Sequence, residues 1–448
     1  MESPLYTEVK TIAAIDPTDG HYDLTVNIET PEVRFKPLAI TEYNIDRDFN
    51  NKFTETRFIS VLVGYGTYLF DIYPYKEELN ITVSRKLNKG FNGDVTSADN
   101  PYPSRRYKAE LKELPSSKTD ASTNNLKMKD ELDRESQIEL VFELINPAIV
   151  DLSMMLQGAT LRDVDTTTAT KALLNLVLSK LDHEETNAIT KVDVVDGDDL
   201  ENVRSHVIIP SNTYVREIPR LIQENNGGVY GTGLGHFIQN GCWYVYPKFN
   251  TKRVQDVKRH LTLYNVPKTL LPNVENTYID TGDVVKVIST GLSKETDNTD
   301  KAQLKTGHGT RYFRGYQFMN GYSSLVKDGA TITRDDNVVE YATNERKNGL
   351  FHIPYNDPLI TSNHLLVASR QAEKMIRYIT VVWEHADPDI LYPGMPVRFH
   401  YIQDENTTES IDGVLYSVLA KGVPKTNTAL NNEFSMNVVL VIALEKEG

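Results

Sequence analysis

Cysteine is almost missing from this chain: Cys242 is the single one in 448 residues. One thiol cannot close an internal disulfide, so the fold neither needs nor records an oxidising compartment. No stretch approaches the roughly 20 consecutive apolar residues of a membrane-spanning helix. The opening "MESPLYTEVK" has neither the basic flank nor the apolar run of a secretory signal, so we expect synthesis and folding in a reducing cytoplasm, with no membrane insertion. Positive charge is in deficit: 48 Lys and Arg face 62 Asp and Glu, leaving a formal charge of -14. That balance opposes phosphate backbones and argues against nucleic acid as a tight partner. Tryptophan is also scarce, with 2 against 14 Phe and 24 Tyr, so tyrosine is the main aromatic.

What is present is an ordinary globular composition, 40% hydrophobic and 25% charged, in a chain long enough to divide into two to four domains. Residues 22 to 112 read mostly as strand. "LNITVSR" (79 to 85) alternates Leu79, Ile81 and Val83 with Asn80, Thr82 and Ser84, and "YKAEL" (107 to 111) alternates Tyr107, Ala109 and Leu111. A period of two buries one face of a sheet. Residues 113 to 134 are polar and turn-rich, an expected exposed loop, and alternation resumes at Ile138, Leu140, Phe142 and Leu144.

The period then changes. In "NPAIVDLSMML", Asn146 is the expected N-cap and Pro147 the first helical residue. "TATKALLNLVLSKL" (168 to 181) brings Ala169, Ala172, Leu173, Leu176, Val177 and Leu181 to one side, with a threonine run ahead of it as the expected cap. A small helical insertion over 146 to about 205 follows from this. Later, "SNHLLVASRQAEKMI" (362 to 376) has helical spacing before the strand runs "RYITVVWEH" and "FSMNVVLVIALE". Residues 293 to 350, rich in Gly, Asn, Asp and Lys, read as a long exposed insertion.

Four stretches invite a chemical reading. "NNGGVYGTGLGH" (225 to 236) packs five glycines into twelve positions, as a phosphate loop does, but such a loop runs strand, glycines, helix. Here a helix with Val215, Ile218, Leu221 and Ile222 precedes the glycines, Gly227 or Gly228 suits its left-handed C-cap, and the hairpin signal Asn240-Gly241 follows. Gly231, Gly233 and Gly235 are therefore read as turn residues. Asp280-Thr281-Gly282 has the form of an aspartic protease loop, yet no second such triplet supplies the other carboxylate, and Asp283 replaces the usual small hydroxyl residue. "RGYQFMNG" (314 to 321) partly matches an RNA-recognition strand through Arg314, Gly315, Tyr316 and Phe318, without the companion strand and helices. "DVVDGDD" (193 to 199) fails as a calcium loop, because aligning Gly197 puts Val192 where a carboxylate is required. The ten histidines form no close ligand pairs, and Cys242 reads as a packed thiol. These readings leave no catalytic, cofactor-binding or metal residue to nominate.

Taken in order, "YGTYLFDIYPYKEELNITVSR" (65 to 85), "IPRLIQENNGGVYGTGLGHFIQNGCWYVYPKFN" (218 to 250), "LITSNHLLVASRQAEKMIRYITVVWEHADPDILYPGMPVRFHY" (359 to 401) and "FSMNVVLVIALE" (434 to 445) resemble the baseplate hub proteins of contractile-tailed bacteriophages. The first stretch is similar to the family's early barrel strands, the second to its helix, glycine turn and hairpin, and the last two to its second barrel. The resemblance implies an α+β, β-rich fold. A first tube-like β-barrel domain would occupy 1–145, a helical insertion and a small α/β segment 146–250, and a second tube-like β-barrel domain 251–448. It further implies a non-enzymatic virion component without cofactor: a homotrimeric ring contacting tail tube proteins, the central spike and other baseplate proteins, with DNA passing through its channel without specific binding. Trimer closure would also cover barrel edge strands. A tail-associated hydrolase or protease, or a nucleic-acid-binding module at 311 to 322, are the alternatives.

Overall fold

The computed structural model describes residues 4–14, 21–87, 104–112, 137–181, 187–197, 203–267, 277–297, 375–404, 407–424 and 433–445, with short pieces between 311 and 373. The first region carries β1 (His21–Glu29), β2 (Arg34–Phe35), β3 (Ala39–Asp48), β4 (Thr56–Gly64), β5 (Asn80–Leu87), β6 (Arg105–Leu111) and β7 (Gln137–Ile145). The middle region carries β8 (Ala159–Val164), β9 (Lys191–Val194), β10 (Arg204–Ile209), β11 (Leu234–Gln239) and β12 (Cys242–Pro247). The late region begins with β13 (His260–Val266), β14 (Tyr278–Asp280) and β15 (Val284–Asp297). Short strands β16 (Arg311–Tyr312), β17 (Ser323–Lys327), β18 (Ala330–Arg334) and β19 (Tyr341–Ala342) follow. It closes with β20 (Ile376–Trp383), β21 (Pro396–Asp404), β22 (Thr407–Pro424) and β23 (Glu433–Glu445).

The early and late strands, separate in sequence, join in one 14-stranded sheet. Its pairings close two circuits. The first runs β1, β5, β6, β7, β4, β3, β22, β23 and back to β1, every step antiparallel. The second runs β13, β21, β22, β23, β20, β15 and back to β13, with β13 parallel to both its neighbours. Both circuits use the long β22–β23 ladder. One edge of β22 pairs with β21 up to Val414 and with β3 from Ser417, and a register shift falls between Leu415 and Ser417. An extra residue bends a strand and increases its twist, which lets one strand serve two circuits. Because these ladders close within a single chain, they leave no long edge among the described residues for a neighbouring copy to cover, and there the expected motive for ring closure falls away.

Burial follows the alternation seen in the letters. Leu79, Ile81 and Val83 are buried, as are Tyr107, Ala109, Leu140, Phe142 and Leu144. One core links both circuits, joining residues such as Ile59 and Phe142 to Val381, Phe399 and Leu440. The helix Pro4–Ala14, whose Leu5, Val9 and Ile12 have helical spacing, covers Tyr264, Val266 and Ile288 of β13 and β15.

The middle region has its own core around Leu173, Val177, Ile218, Ile222, Tyr230 and Trp243. Asn146 caps the helix Pro147–Met154, its side chain accepting from the Ala148 N–H at 3.0 Å. The next helix, Thr166–Leu178, departs from expectation. Asp165, not a threonine, caps it, accepting from the Thr168 N–H at 2.8 Å, because Thr166 and Thr167 are themselves helical and buried. Its buried face is Ala169, Thr170, Leu173, Leu174 and Val177, while Ala172 and Leu176 are exposed. The stretch is also not purely helical: β8 pairs with β10, and β9 lies parallel to β12. Residues 65 to 75 form helical turns rather than barrel strands, with Phe70 76% exposed. "RGYQFMNG" and the 113 to 134 loop lie outside the described residues; of the 362 to 376 helix, Leu365, Ser369, Ala372 and Glu373 are helical, whereas Met375 is a turn residue and Ile376 opens β20.

Candidate functional site

The glycine segment is architectural. The helix Ile218–Asn225 ends in Gly227 and Gly228 at φ 98° and 83°, and the Gly228 N–H returns to the Ile222 carbonyl at 3.2 Å, a left-handed helix stop. Gln223, near the helix end, holds the following loop. Its Oε1 accepts from the Val229 and Tyr230 N–H groups at 2.8 and 3.1 Å, and its Nε2 donates to the Tyr230 carbonyl at 2.8 Å. Two of the loop N–H groups that a phosphate would need are thus spent on a side chain. Asn240 and Gly241, at φ 51° and 74°, form the tight turn between β11 and β12. Gly233 has φ 87°, whereas Gly235 is needed for space: a Cβ there would lie 2.4 Å from the Tyr246 ring.

Asp280 is committed to structure. Arg259 grips both its oxygens at 2.9 Å, the Gly282 N–H donates to Oδ1 at 2.9 Å, and these contacts hold its carboxyl below the ordinary range, the Arg259 hydrogen bond first among them. A carboxylate so paired cannot share a proton with a second acid. Cys242 is buried, and burial pushes its thiol up to about 11, away from nucleophilic thiolate. Burial likewise pushes His236 down to about 4, which keeps it neutral. Among the described residues no group of His, Cys, Asp and Glu could hold a metal ion, and no helix is long and apolar enough to cross a membrane.

The densest polar chemistry lies outside all four stretches that invite a chemical reading. Arg47, Arg57 and Arg85 occupy inward positions of β3, β4 and β5, in step with the buried Tyr43 and Ile45, Ile59 and Val61, and Ile81 and Val83. Arg105 holds the equivalent position two residues before buried Tyr107 on β6. The antiparallel order brings all four to one mouth of the first circuit. There the late-region segment 387–389 meets them. Arg47, 0% exposed, donates from Nε to Glu55 at 2.8 Å, from Nη1 to the Pro388 carbonyl at 2.5 Å and from Nη2 to Asp389. Arg57 bonds Glu55 at 2.6 Å and the Tyr43 hydroxyl at 2.5 Å, and Arg85 meets Asp387 and Asp389 at 3.1 and 2.8 Å. Burial alone would raise the Glu55 carboxyl, but Arg57 and Arg47 outweigh it and hold it down at about 2. Asp389 is held far below its usual value, with Arg85, Arg47 and Arg57 again overcoming burial. Arginine at an inward strand position is the signal that could have revealed this site.

Above the network opens a cleft of about 1040 Å³, bounded by the first circuit, the middle region and the turn 389–393. Tyr244 and Tyr392 stack along it, ring centroids 6.2 Å apart at 24°. Arg253, 9% exposed, lines it and donates to the Gly394 carbonyl at 3.2 Å.

No known family's sequence profile matches the chain, and no curated protein matches it in sequence. Among solved structures it is similar to a tail protein from Neisseria meningitidis MC58, with a TM-score of 0.45 and 10% identity over 95% of this chain and 97% of that one. It is similar as well to the 43 kDa tail protein of prophage MuSo2 from Shewanella oneidensis, with a TM-score of 0.44 and 10% identity over 93% and 98%. A third neighbour is the E. coli c3393 protein, a component of the type VI secretion system, at 0.39 and 9% over 94% and 77%.

Proposed function

We propose that this chain is a structural component of a phage-type tail baseplate: the hub ring that joins tail tube to spike, with three copies around a channel through which DNA passes. The observation that carries the reading is the pair of circuits sharing the β22–β23 ladder. Two tube-like barrels in one chain let three chains offer six similar faces to a sixfold tube and three to a threefold spike. In this reading 1–145 and 251–448 are the barrel domains, the first completed by β22 and β23 of the second, and 146–250 is an α/β attachment between them. The buried arginine network suits a load-bearing part, since it ties strands of the first circuit to a segment more than 300 residues later. The net charge of -14 suits a conduit better than a DNA binder, because acidic walls repel a passing phosphate backbone. With the circuits closed inside each chain, neighbouring copies would meet through side chains rather than strand edges. The reading assigns no catalysis and no cofactor to the chain. Light scattering of the purified protein, alone and mixed with phage tube and spike proteins, tests it. A mass of three chains in either condition is expected; a monomer in both, at high concentration, contradicts it.

A further inference from the structure

In a chain with net charge -14, the cleft above the network gathers five arginines: Arg57, Arg85, Arg105, Arg253 and Arg259. Three have contacting carboxylates: Glu55 for Arg57, Asp387 and Asp389 for Arg85, and Asp280 for Arg259. Arg253 and Arg105 make no ion pair among the described residues. For Arg253 this is costly, because it is nine-tenths buried and a buried charge without a contacting counter-charge is destabilising. Burial accordingly lowers its affinity for its proton. A cation kept inside a cleft at such a cost points to an anion that arrives there.

The surroundings narrow the kind of anion. Asp193, Asp196 and Asp389 also line the cleft, so a polyphosphate or nucleic acid would meet repulsion that a single carboxylate largely escapes. The volume, about 1040 Å³, is at the upper end of small-molecule sites and exceeds what a simple organic acid fills. The stacked Tyr244 and Tyr392 add flat amphipathic wall of the kind protein interfaces favour. We propose that the cleft is a receptor for an acidic peptide segment of a partner protein, a short and otherwise uncharged stretch whose carboxylate seats on Arg253, with Arg105 adding attraction. The carboxylate belongs to an Asp or Glu side chain or to a free C-terminus; the chemistry at Arg253 is the same.

The proposal does not rest on the hub reading, since peptide capture is measured on the free chain and ring closure by mass. The test is fluorescence anisotropy of the full-length protein with three labelled hexapeptide pools: C-amidated with one Glu, C-amidated with Gln in its place, and Gln-containing with a free C-terminus. The Glu pool, the free-C-terminus pool or both should bind about tenfold or more tightly than the amidated Gln pool, and which of them does names the source of the carboxylate. Arg253→Gln should erase that preference. Arg105→Gln, on the cleft rim, should weaken it and serves if the first variant fails to fold. Arg220→Gln, whose partner Glu224 lies on the exposed face of its helix, should leave it unchanged. Equal binding of all three pools, no binding of any, a preference that survives both cleft variants, or stronger competition by inorganic triphosphate than by either acidic pool would overturn the proposal.

Discussion

Carboxylate meets arginine at two prominent places in this molecule, and the two have opposite weight. At the mouth of the first circuit, Arg47 and Asp389 are 0% and 10% exposed and belong to a network drawn from β3, β4, β5 and the 387–389 segment. Where Arg259, just ahead of β13, meets Asp280 at the β14–β15 turn, the two are 34% and 28% exposed. The second geometry is the neater, with both oxygens gripped at 2.9 Å. Energy nonetheless follows burial, because an exposed pair gains little over solvation, whereas one partner removed from a buried network strands the others without water.

Breaking the buried side should have the largest effect. Asp389→Asn leaves Arg47 and Arg85 short of a counter-charge and should cost about 3–5 kcal/mol in urea unfolding. Acid should do part of the same. The folded-state value of Glu55 lies at about 2, below its ordinary 4.5, so its contribution is complete above about 4.5 and is lost as pH falls from there towards 2. That loss amounts to about 3 kcal/mol, read as a falling urea midpoint across the window. A steric contrast comes next: Gly235→Ala drives a methyl into the Tyr246 ring and should cost about 1–3 kcal/mol without any dependence on pH or salt. Asp280→Asn should cost no more than about 1 kcal/mol after solvent screening. Raising ionic strength to about 1 M sharpens the comparison, for it should erase the Asp280 effect and leave that of Asp389 nearly intact.

The same contrast separates what could be read in the letters from what could not. Period-two alternation located Leu79, Ile81, Val83 and the β7 face because a half-buried strand repeats its own environment at every second residue. The Asn240-Gly241 turn was legible because few residue pairs accept two positive φ values. Strands β8 and β10 were not, since "ATLRDV" has no fully buried residue and "RSHVII" buries only Val207 and Ile209, too short a stripe to mark a strand. Arg47, Arg57 and Arg85 stand at inward positions that alternation marks, yet Asp389, which meets all three, and Asp387, which meets Arg85, lie more than 300 residues away, and only the closed circuits bring them together. The division of β22 between two circuits depends on a bulge beside Tyr416, which a local pattern does not announce. Of the candidate site, then, the glycine helix stop and the Asn240-Gly241 turn were readable, and the arginine mouth and cleft were not.

The central claim is that two strand circuits in each chain serve a ring of three. A low-resolution electron microscopy image of the purified protein, alone and mixed with tail tube and spike proteins, bears on it most directly. The account predicts closed rings with six similar lobes around an open channel in at least one of these preparations; isolated two-lobed particles in all of them would contradict it.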